Sequence, residues 1–249
     1  MRKRVLVTND DGIDSPGLHA LAAMALEQDF ELVVAAPSAE ASGTSAGITA
    51  VRADGKVTVE ERKLPGLPDV RAFAVSGTPA FITLIATRGA FGSPPQLVLS
   101  GVNRGANVGY AVIHSGTVGA ALTAVTYGCP GMAVSLDVGL NSDIDLHWTT
   151  AANIASKLLQ AALEAPRRVA INLNVPNVPM DQVRGTKRAT LAAFGAVQTH
   201  LEMGEGFVRT TIADHEGDFD SDTDAALLAE GYASVTALRG VTEASDVEL

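Results

Sequence analysis

Cysteine is nearly missing from this chain: Cys129 is the only one in 249 residues. A single cysteine excludes an internal disulfide framework and any Cys-rich zinc site. Aromatic residues are scarce at 4%, and charged residues reach only 18% against 47% hydrophobic. No uninterrupted apolar run approaches the ~20 residues that a membrane span requires. The start, Met1-Arg2-Lys3-Arg4 followed by Val5-Leu6-Val7, is basic, but its apolar stretch is far too short for a secretory signal. No membrane partner is expected, and the expected compartment is the cytoplasm. Glycine and proline, 24 and 11 residues, are near ordinary usage, so collagen-like and disordered classes fall away.

Basic charge is also in short supply, and unevenly placed. The net charge is −10, with acids and bases balanced at 16 each over residues 1–200. Residues 201–249 hold the other 12 acids and only two bases, Arg209 and Arg239. A nucleic-acid binder needs a basic stripe to neutralise phosphates, and none is visible. The acidic end reads as a solvated or subunit-exchanged appendage.

Several catalytic signatures are absent as well. The first strand is not followed by G-x-G-x-x-G, which argues against a dinucleotide-binding enzyme, and no Gly-Lys-Ser/Thr of a P-loop occurs. Asn9 stands two places before Asp11, so an Asp-x-Asp-Gly phosphatase would lack its nucleophile. The Gly-x-Ser-x-Gly elbow of α/β hydrolases is missing too. The five histidines, at 19, 114, 147, 200 and 215, are scattered and form no pair at metal-ligand spacing.

Short β-branched runs alternating with Ala/Leu-rich stretches are what the chain does have. Strands are predicted at Arg4–Thr8, Glu31–Ala36, Arg71–Val75, Leu97–Ser100, Met132–Leu136 and Val169–Asn174. Helices are predicted near Gly17–Gln28, Pro79–Ala90, Thr117–Tyr127 and Trp148–Glu164. Continuous apolar strands joined by helices indicate a parallel sheet covered on both faces. Residues 1–180 therefore read as an α/β, doubly wound core, and 181–249 as hairpins plus an acidic tail. Strand signals there fall at Ala189–Ala193, Phe207–Ala213 and Tyr232–Leu238.

In such a sheet, ligands bind beyond the carboxyl ends of the strands. The polar segments after the strands are Asn9-Asp10-Asp11-Gly12, Ser42-Gly43-Thr44, Ser76-Gly77-Thr78, Asn103-Arg104-Gly105-Ala106-Asn107 and Ser115-Gly116-Thr117. Adjacent carboxylates at a buried strand end repel one another, and a divalent cation is the usual compensation. The plainer alternative makes Asp10 and Asp11 solvated turn or cap residues. With Ser42 and Asn103 the donor set is all oxygen, which favours Mg²⁺ or Mn²⁺ over zinc. Ser115-Gly116-Thr117 opens an Ala-rich helix. It reads equally as a helix cap or as a phosphate cradle, since both use the same unpaired N–H donors.

These residues resemble the SurE family, the stationary-phase survival protein nucleotidases. The likeness rests on Val7 to Gly12, Pro16-Gly17, Ala36-Pro37 to Ser42-Gly43, Val75 to Pro79 and Ser100 to Gly109. Ser115 to Ala121, Ala133 to Leu136, Asn172 to Pro176, Thr223-Asp224 and Gly231 to Thr236 extend it through nearly the whole chain. The resemblance implies a Rossmann-like core with a protruding C-terminal hairpin and tail, often exchanged within homodimers or homotetramers. It implies a divalent-metal phosphomonoesterase acting on nucleoside 5′- and 3′-monophosphates, without a covalent intermediate. Asp10, Asp11, Ser42 and Asn103 would hold one metal ion, Mg²⁺ or Mn²⁺, and one of the two aspartates would act as base. Asn9, Gly43, Asn107, Ser115, Gly116 and Thr117 are the candidate contacts to substrate and phosphate.

The chain also departs from the family pattern. Tyr110 and Ala111 stand where acids are common, His114 replaces a common Tyr, and Phe81 replaces a frequent Asp. Ser38–Ala41 lacks the usual Asp and Arg residues, and no acid occurs at Leu122–Val125. Two alternatives follow from these changes: a phosphatase for a non-nucleotide phosphate ester, or a non-catalytic nucleotide- or phosphate-binding protein.

Overall fold

The structure is a computed structural model that describes residues 2–50, 52–139, 144–193, 197–204, 206–214 and 220–244. In chain order the elements begin with β1 (Arg4–Thr8), α1 (Pro16–Glu27), β2 (Glu31–Pro37), β3 (Arg52–Ala53), β4 (Lys56–Val57), β5 (Val59–Leu64) and β6 (Leu67–Val75). Next come α2 (Pro79–Thr87), β7 (Leu97–Arg104), a 3₁₀ segment Gly109–His114, α3 (Gly116–Thr126), β8 (Gly131–Asp137), α4 (Trp148–Leu163) and β9 (Val169–Pro176). The chain then adds β10 (Thr186–Arg188), β11 (Val197–Gly204), β12 (Phe207–Asp214), α5 (Asp224–Ala229) and β13 (Ala233–Arg239).

Nine strands form one sheet in the order β10-β13-β9-β8-β7-β1-β2-β6-β5. The six central strands, β9 through β6 in that order, pair in parallel. β13 runs antiparallel to β9, and β5 antiparallel to β6. Buried runs such as Val5-Leu6-Val7 and Leu97-Val98-Leu99 fill the central strands, as expected where helices cover both faces. α1 packs with α4 on one side, and α2 with α3 on the other.

The helices begin where their caps dictate. Ser15 and Thr78 each accept a backbone N–H with the side chain, and Pro16 and Pro79 fill the first helical positions, where a missing N–H costs nothing. α3 starts in the same way, with the Ser115 hydroxyl accepting Val118 N–H at 3.1 Å.

β1 lies at the centre, with β2 on one side and β7 on the other. From β1 the chain winds outward through β2 and β6, then returns through α2 to β7. The loops leaving β1 and β7 therefore diverge, and the crevice between them is the topological switch point where such sheets bind ligands.

Beyond Asp181 the chain behaves differently from a simple appendage. β10 and β13 extend the main sheet, while β11 and β12 form a separate antiparallel ribbon. The strand signal at Ala189–Ala193 is displaced: the strand is Thr186–Arg188, and Thr190 makes only a single bridge to Thr223. Ala192 is buried against Val108, Ala225 and Leu228, so packing rather than strand pairing claims this segment. The acidic stretch likewise returns to the core, because Leu227 and Leu228 of α5 and Ala233 and Leu238 of β13 are buried.

Leu99 is fully buried at the middle of β7. Leu99→Ala is expected to lower stability by about 2–5 kcal/mol, the range for a buried Leu truncation. A denaturant midpoint measured on both proteins checks it.

Candidate active site

The end of β1 carries the chemistry into the crevice. Asn9 is fully buried, Asp10 is 4% exposed and Asp11 is partly buried. The turn that follows needs Gly12 at φ +98°, a conformation that side chains other than glycine's rarely adopt. Asn9 stabilises this turn by donating through Nδ2 to Gly12 O (3.0 Å) and Ser15 Oγ (2.7 Å).

Three other segments close around the aspartates. Ala41 N–H donates to Asp10 O at 2.7 Å, which draws in the loop after β2. The Thr117 hydroxyl donates to Asp10 Oδ1, which draws in the start of α3. From the end of β7, Arg104 lies near Asp11 and favours its charged form. Gly116 makes the approach of α3 possible: a Cβ there would lie 2.8 Å from Asp10 Oδ2 and 3.1 Å from Thr44 Oγ1.

Burial sets the electrostatics. Loss of hydration raises Asp10 above the ordinary carboxylate range, against the lowering effect of the Thr117 hydrogen bonds. Asp11 is pushed up to about 7, first by burial and then by the neighbouring Asp10 charge. Glu40 adds a smaller repulsion to both. The buried Asp11 Oδ2 and Asn9 Oδ1 have no hydrogen-bond partner, and orphaned acceptors of this kind call for a cation or another donor.

The oxygen donors expected alongside them have free lone pairs. Asn103 uses Nδ2 to hold Gly105 O at 2.8 Å, leaving Oδ1 available. Ser42 donates its hydroxyl proton to Glu40 Oε1 at 2.8 Å, so its own oxygen remains an acceptor. A hard divalent cation fits such a set. Among the described residues no cluster of three or more His, Cys, Asp or Glu side chains suits a metal. Any ion here would therefore depend on the amide and hydroxyl oxygens as well as the two carboxylates.

The phosphate candidates divide by how their donors are engaged. The Thr117 hydroxyl donates to Asp10, whereas Ser115 Oγ only accepts Val118 N–H to cap α3 and keeps its proton to donate. Space lies open beside Gly43. Asn107 donates through Nδ2 to Ser135 Oγ at 2.9 Å, and its backbone is clamped from β9. Asn174 Oδ1 accepts Asn107 N–H at 2.7 Å, while Asn172 and Asn174 both donate to Asn107 O at 2.8 and 2.9 Å. Asp224, fully buried at the start of α5, accepts N–H groups from Gly109 (2.9 Å) and Ala192 (3.0 Å). Burial raises its pKa, and these amide donors lower it.

Glu40, Ser135, Asn172, Asn174 and Asp224 were not among the sequence-predicted site residues. Asn172 and Asn174 had a legible signal, since two amides two residues apart on an apolar strand face the same side. The departures from the family pattern separate clearly. Tyr110 is 66% exposed and His114 is exposed, both on the 3₁₀ segment at the rim, whereas Phe81 is buried at 8% exposure.

A doubly wound sheet with paired carboxylates at its switch point defines an α/β enzyme whose ligand lies at the carboxyl rim. Residues 5–197 match the family model of the survival protein SurE. The chain is 36% identical over 242 residues to the 5′-nucleotidase SurE of Carboxydothermus hydrogenoformans, covering 94% of this chain and 89% of that protein. It is 32% identical over 242 residues to the 5′/3′-nucleotidase SurE of Photorhabdus laumondii, covering 95% and 89%. The crystal structure of the SurE protein from Aquifex aeolicus superposes with a TM-score of 0.74 at 28% identity, covering 98% of this chain and 96% of that one. The chain belongs to the SurE family.

The raised carboxyl pKa of Asp11 has a defined stability consequence. The folded state holds this proton more tightly than the unfolded chain, whose Asp titrates near 3.8. Without metal, stability is expected to fall as pH rises from about 4 through about 7. A divalent cation is expected to restore it at and above the upper end of that window, as thermal melts with and without Mg²⁺ at several pH values will test. A second expectation concerns packing: Gly116→Ala pushes α3 away from Asp10 and weakens metal-induced stabilisation, read from the same melts. An unchanged metal response in that variant would show that the close approach is dispensable.

Proposed function

We propose that this chain is a divalent-metal-dependent phosphomonoesterase that hydrolyses nucleoside 5′-monophosphates, and also 3′-monophosphates, to nucleoside and phosphate. The observation that carries this reading is the Asp10–Asp11 pair at the end of β1, with Asp10 buried and Asp11 Oδ2 left without a hydrogen-bond partner. The names of the relatives, 5′-nucleotidase and 5′/3′-nucleotidase, support the substrate class.

Asp10, Asp11, Ser42 and Asn103 would hold one Mg²⁺ or Mn²⁺ ion. Such an ion, when bound, neutralises charge on the phosphoryl group and lowers the pKa of water. Thr117 fixes Asp10 by holding Oδ1. Asp11 Oδ2, free of any hydrogen bond, accepts the proton of the attacking water. The water oxygen attacks phosphorus, the P–O ester bond breaks, and the leaving alkoxide takes up the proton that Asp11 accepted. Asn9, standing in the place of a nucleophilic Asp, leaves direct attack by water as the route.

Phosphoryl oxygens lie against Gly43 and the backbone N–H groups at the start of α3, with Ser115, Gly116 and Thr117 shaping that end. Asn9 and Asn107 act by holding the two loops rather than through free donors, since their Nδ2 groups are committed to the protein. Tyr110 and His114, exposed on the rim, meet the leaving nucleoside.

The same reading includes a homo-oligomer, a dimer or tetramer, assembled within residues 181–249. The β11–β12 ribbon supports this because it stands apart from the main sheet and exposes Met203 at 80% and Val208 at 56%. It also includes a cytoplasmic location, and among the described residues no helix is long and apolar enough to cross a membrane.

Phosphate release from a panel of nucleoside monophosphates and sugar phosphates tests the function. Chelation is expected to stop release, re-added Mg²⁺ or Mn²⁺ to restore it, and Asp11→Asn to abolish the restored rate. Near-normal turnover by Asp11→Asn would overturn the site assignment. Release confined to the sugar phosphates would move the substrate away from nucleotides.

A further inference from the structure

At the pole opposite the active site, arginines without an ion-pair partner among the described residues lie close together. There the connections from α3 to β8 and from α4 to β9 run side by side and enclose a cavity of about 730 Å³. Its lining includes Thr126, Tyr127, Cys129, Arg167 and Arg168. That volume falls within the roughly 300–1,000 Å³ typical of small-molecule sites.

Arg167 and Arg168 are exposed and have no ion-pair or side-chain hydrogen-bond partner among the described residues. Two further arginines stand beside them. Arg239 pairs in register with Val169, the residue next to Arg168, and Arg88 lies over the Tyr127 ring at 5.7 Å. The carboxylate nearest in sequence, Glu164, is bonded to Gln160 on its own helix. None of these four arginines has an acidic ion-pair partner among the described residues.

The backbone supplies a second observation. Pro166 to Val169 forms a tight turn closed by Val169 N–H donating to Pro166 O at 3.0 Å. Arg168 occupies the third position with φ +64°, where glycine is the unstrained choice. A left-handed arginine there costs conformational energy, and strain of this kind collects at ligand sites. The carbonyls of the last turns are themselves taken: Ala124 O and Val125 O accept Cys129 and Gly128 N–H at 3.0 and 3.3 Å, and Ala162 O accepts Ala165 N–H at 3.4 Å.

We propose that this cavity is a second binding site, for a phosphate monoester of nucleotide size. The guanidinium groups of Arg167 and Arg168 grip the phosphate through charge-assisted hydrogen bonds. The half-exposed Tyr127 ring receives the flat face of the remainder. The site lies at the amino ends of β8 and β9. It is separated from Asp10 by roughly 20 Å, the length of a six- or seven-residue strand, and shares no residue with the active site. The assignment stands whether or not the catalytic reading does.

The test uses the full chain stripped of metal, so that nothing is hydrolysed, with AMP as probe in equilibrium dialysis. Arg167→Ala/Arg168→Gly is expected to lose one AMP equivalent per chain, with that equivalent's affinity falling about tenfold or more. Arg167→Gln/Arg168→Asn should behave alike, since asparagine tolerates the left-handed conformation. Both variants should keep the melting temperature and the metal-restored hydrolysis rate at low AMP. Competition by inorganic phosphate assigns recognition to the phosphate alone, and failure to compete assigns it to the whole monoester. Identical AMP stoichiometry and affinity in wild type and both variants would overturn the proposal. Loss of hydrolysis in the wild type would instead overturn the catalytic reading and leave this one standing.

Discussion

Two adjacent carboxylates carried into the protein at the end of β1 impose the constraint on which the rest of the site depends. Neither Asp10 nor Asp11 has a cationic side chain as ion-pair partner among the described residues. The Thr117 hydroxyl of α3 therefore offsets part of the desolvation of Asp10, while Ala41 N–H after β2 holds the Asp10 main-chain carbonyl. Those donors arrive only if the loops converge, and the loops converge only because glycine lets α3 come close. The raised carboxyl pKa values are the residue of this incomplete compensation. They leave the site predisposed to a divalent cation.

A second layer of polar contacts keeps the converging loops in place. The amides of Asn172 and Asn174, buried in an apolar strand, grip the backbone of Asn107 from both its donor and its acceptor. Asp224 performs the same service for Gly109 from the far end of the chain. Residues after 220 thus brace the active-site crevice of the same fold whose ribbon, β11–β12, extends away from it. The two carboxylates stand at the carboxyl end of β1, while Arg167 and Arg168 lie just before the amino end of β9.

Much of the fold was legible in the order of residues. The apolar runs of β1, β2, β7, β8 and β9 and the capped starts of α1, α2 and α3 correspond closely to their predicted segments. Such signals are local, being a run of β-branched residues or a Ser or Thr before Pro or Gly. The β5–β6 hairpin was less legible, because β5 reads Val-Glu-Glu-Arg-Lys-Leu and is almost entirely exposed. An edge strand of charged residues looks like a loop until its partner is known. The displaced strand near residue 189 failed for the opposite reason: its alanines serve a small cluster with α5, which no local pattern announces.

The sequence by itself determined the parallel sheet, the position of the Asn-Asp-Asp-Gly loop at a strand end and the oxygen character of its candidate ligands, since all three follow from residue type and period. Tertiary structure alone decided which polar groups remain free. Asn9, Asn107, Ser115 and Thr117 looked alike as candidate substrate contacts, yet Asn9, Asn107 and Thr117 spend their donors on the protein while Ser115 only accepts an N–H. Only the folded crevice singles out Asp11 Oδ2 and Asn9 Oδ1 as unsatisfied. A hydrogen-bond partner is a matter of distance in space, and segments a hundred residues apart set that distance only once the sheet has brought their ends together.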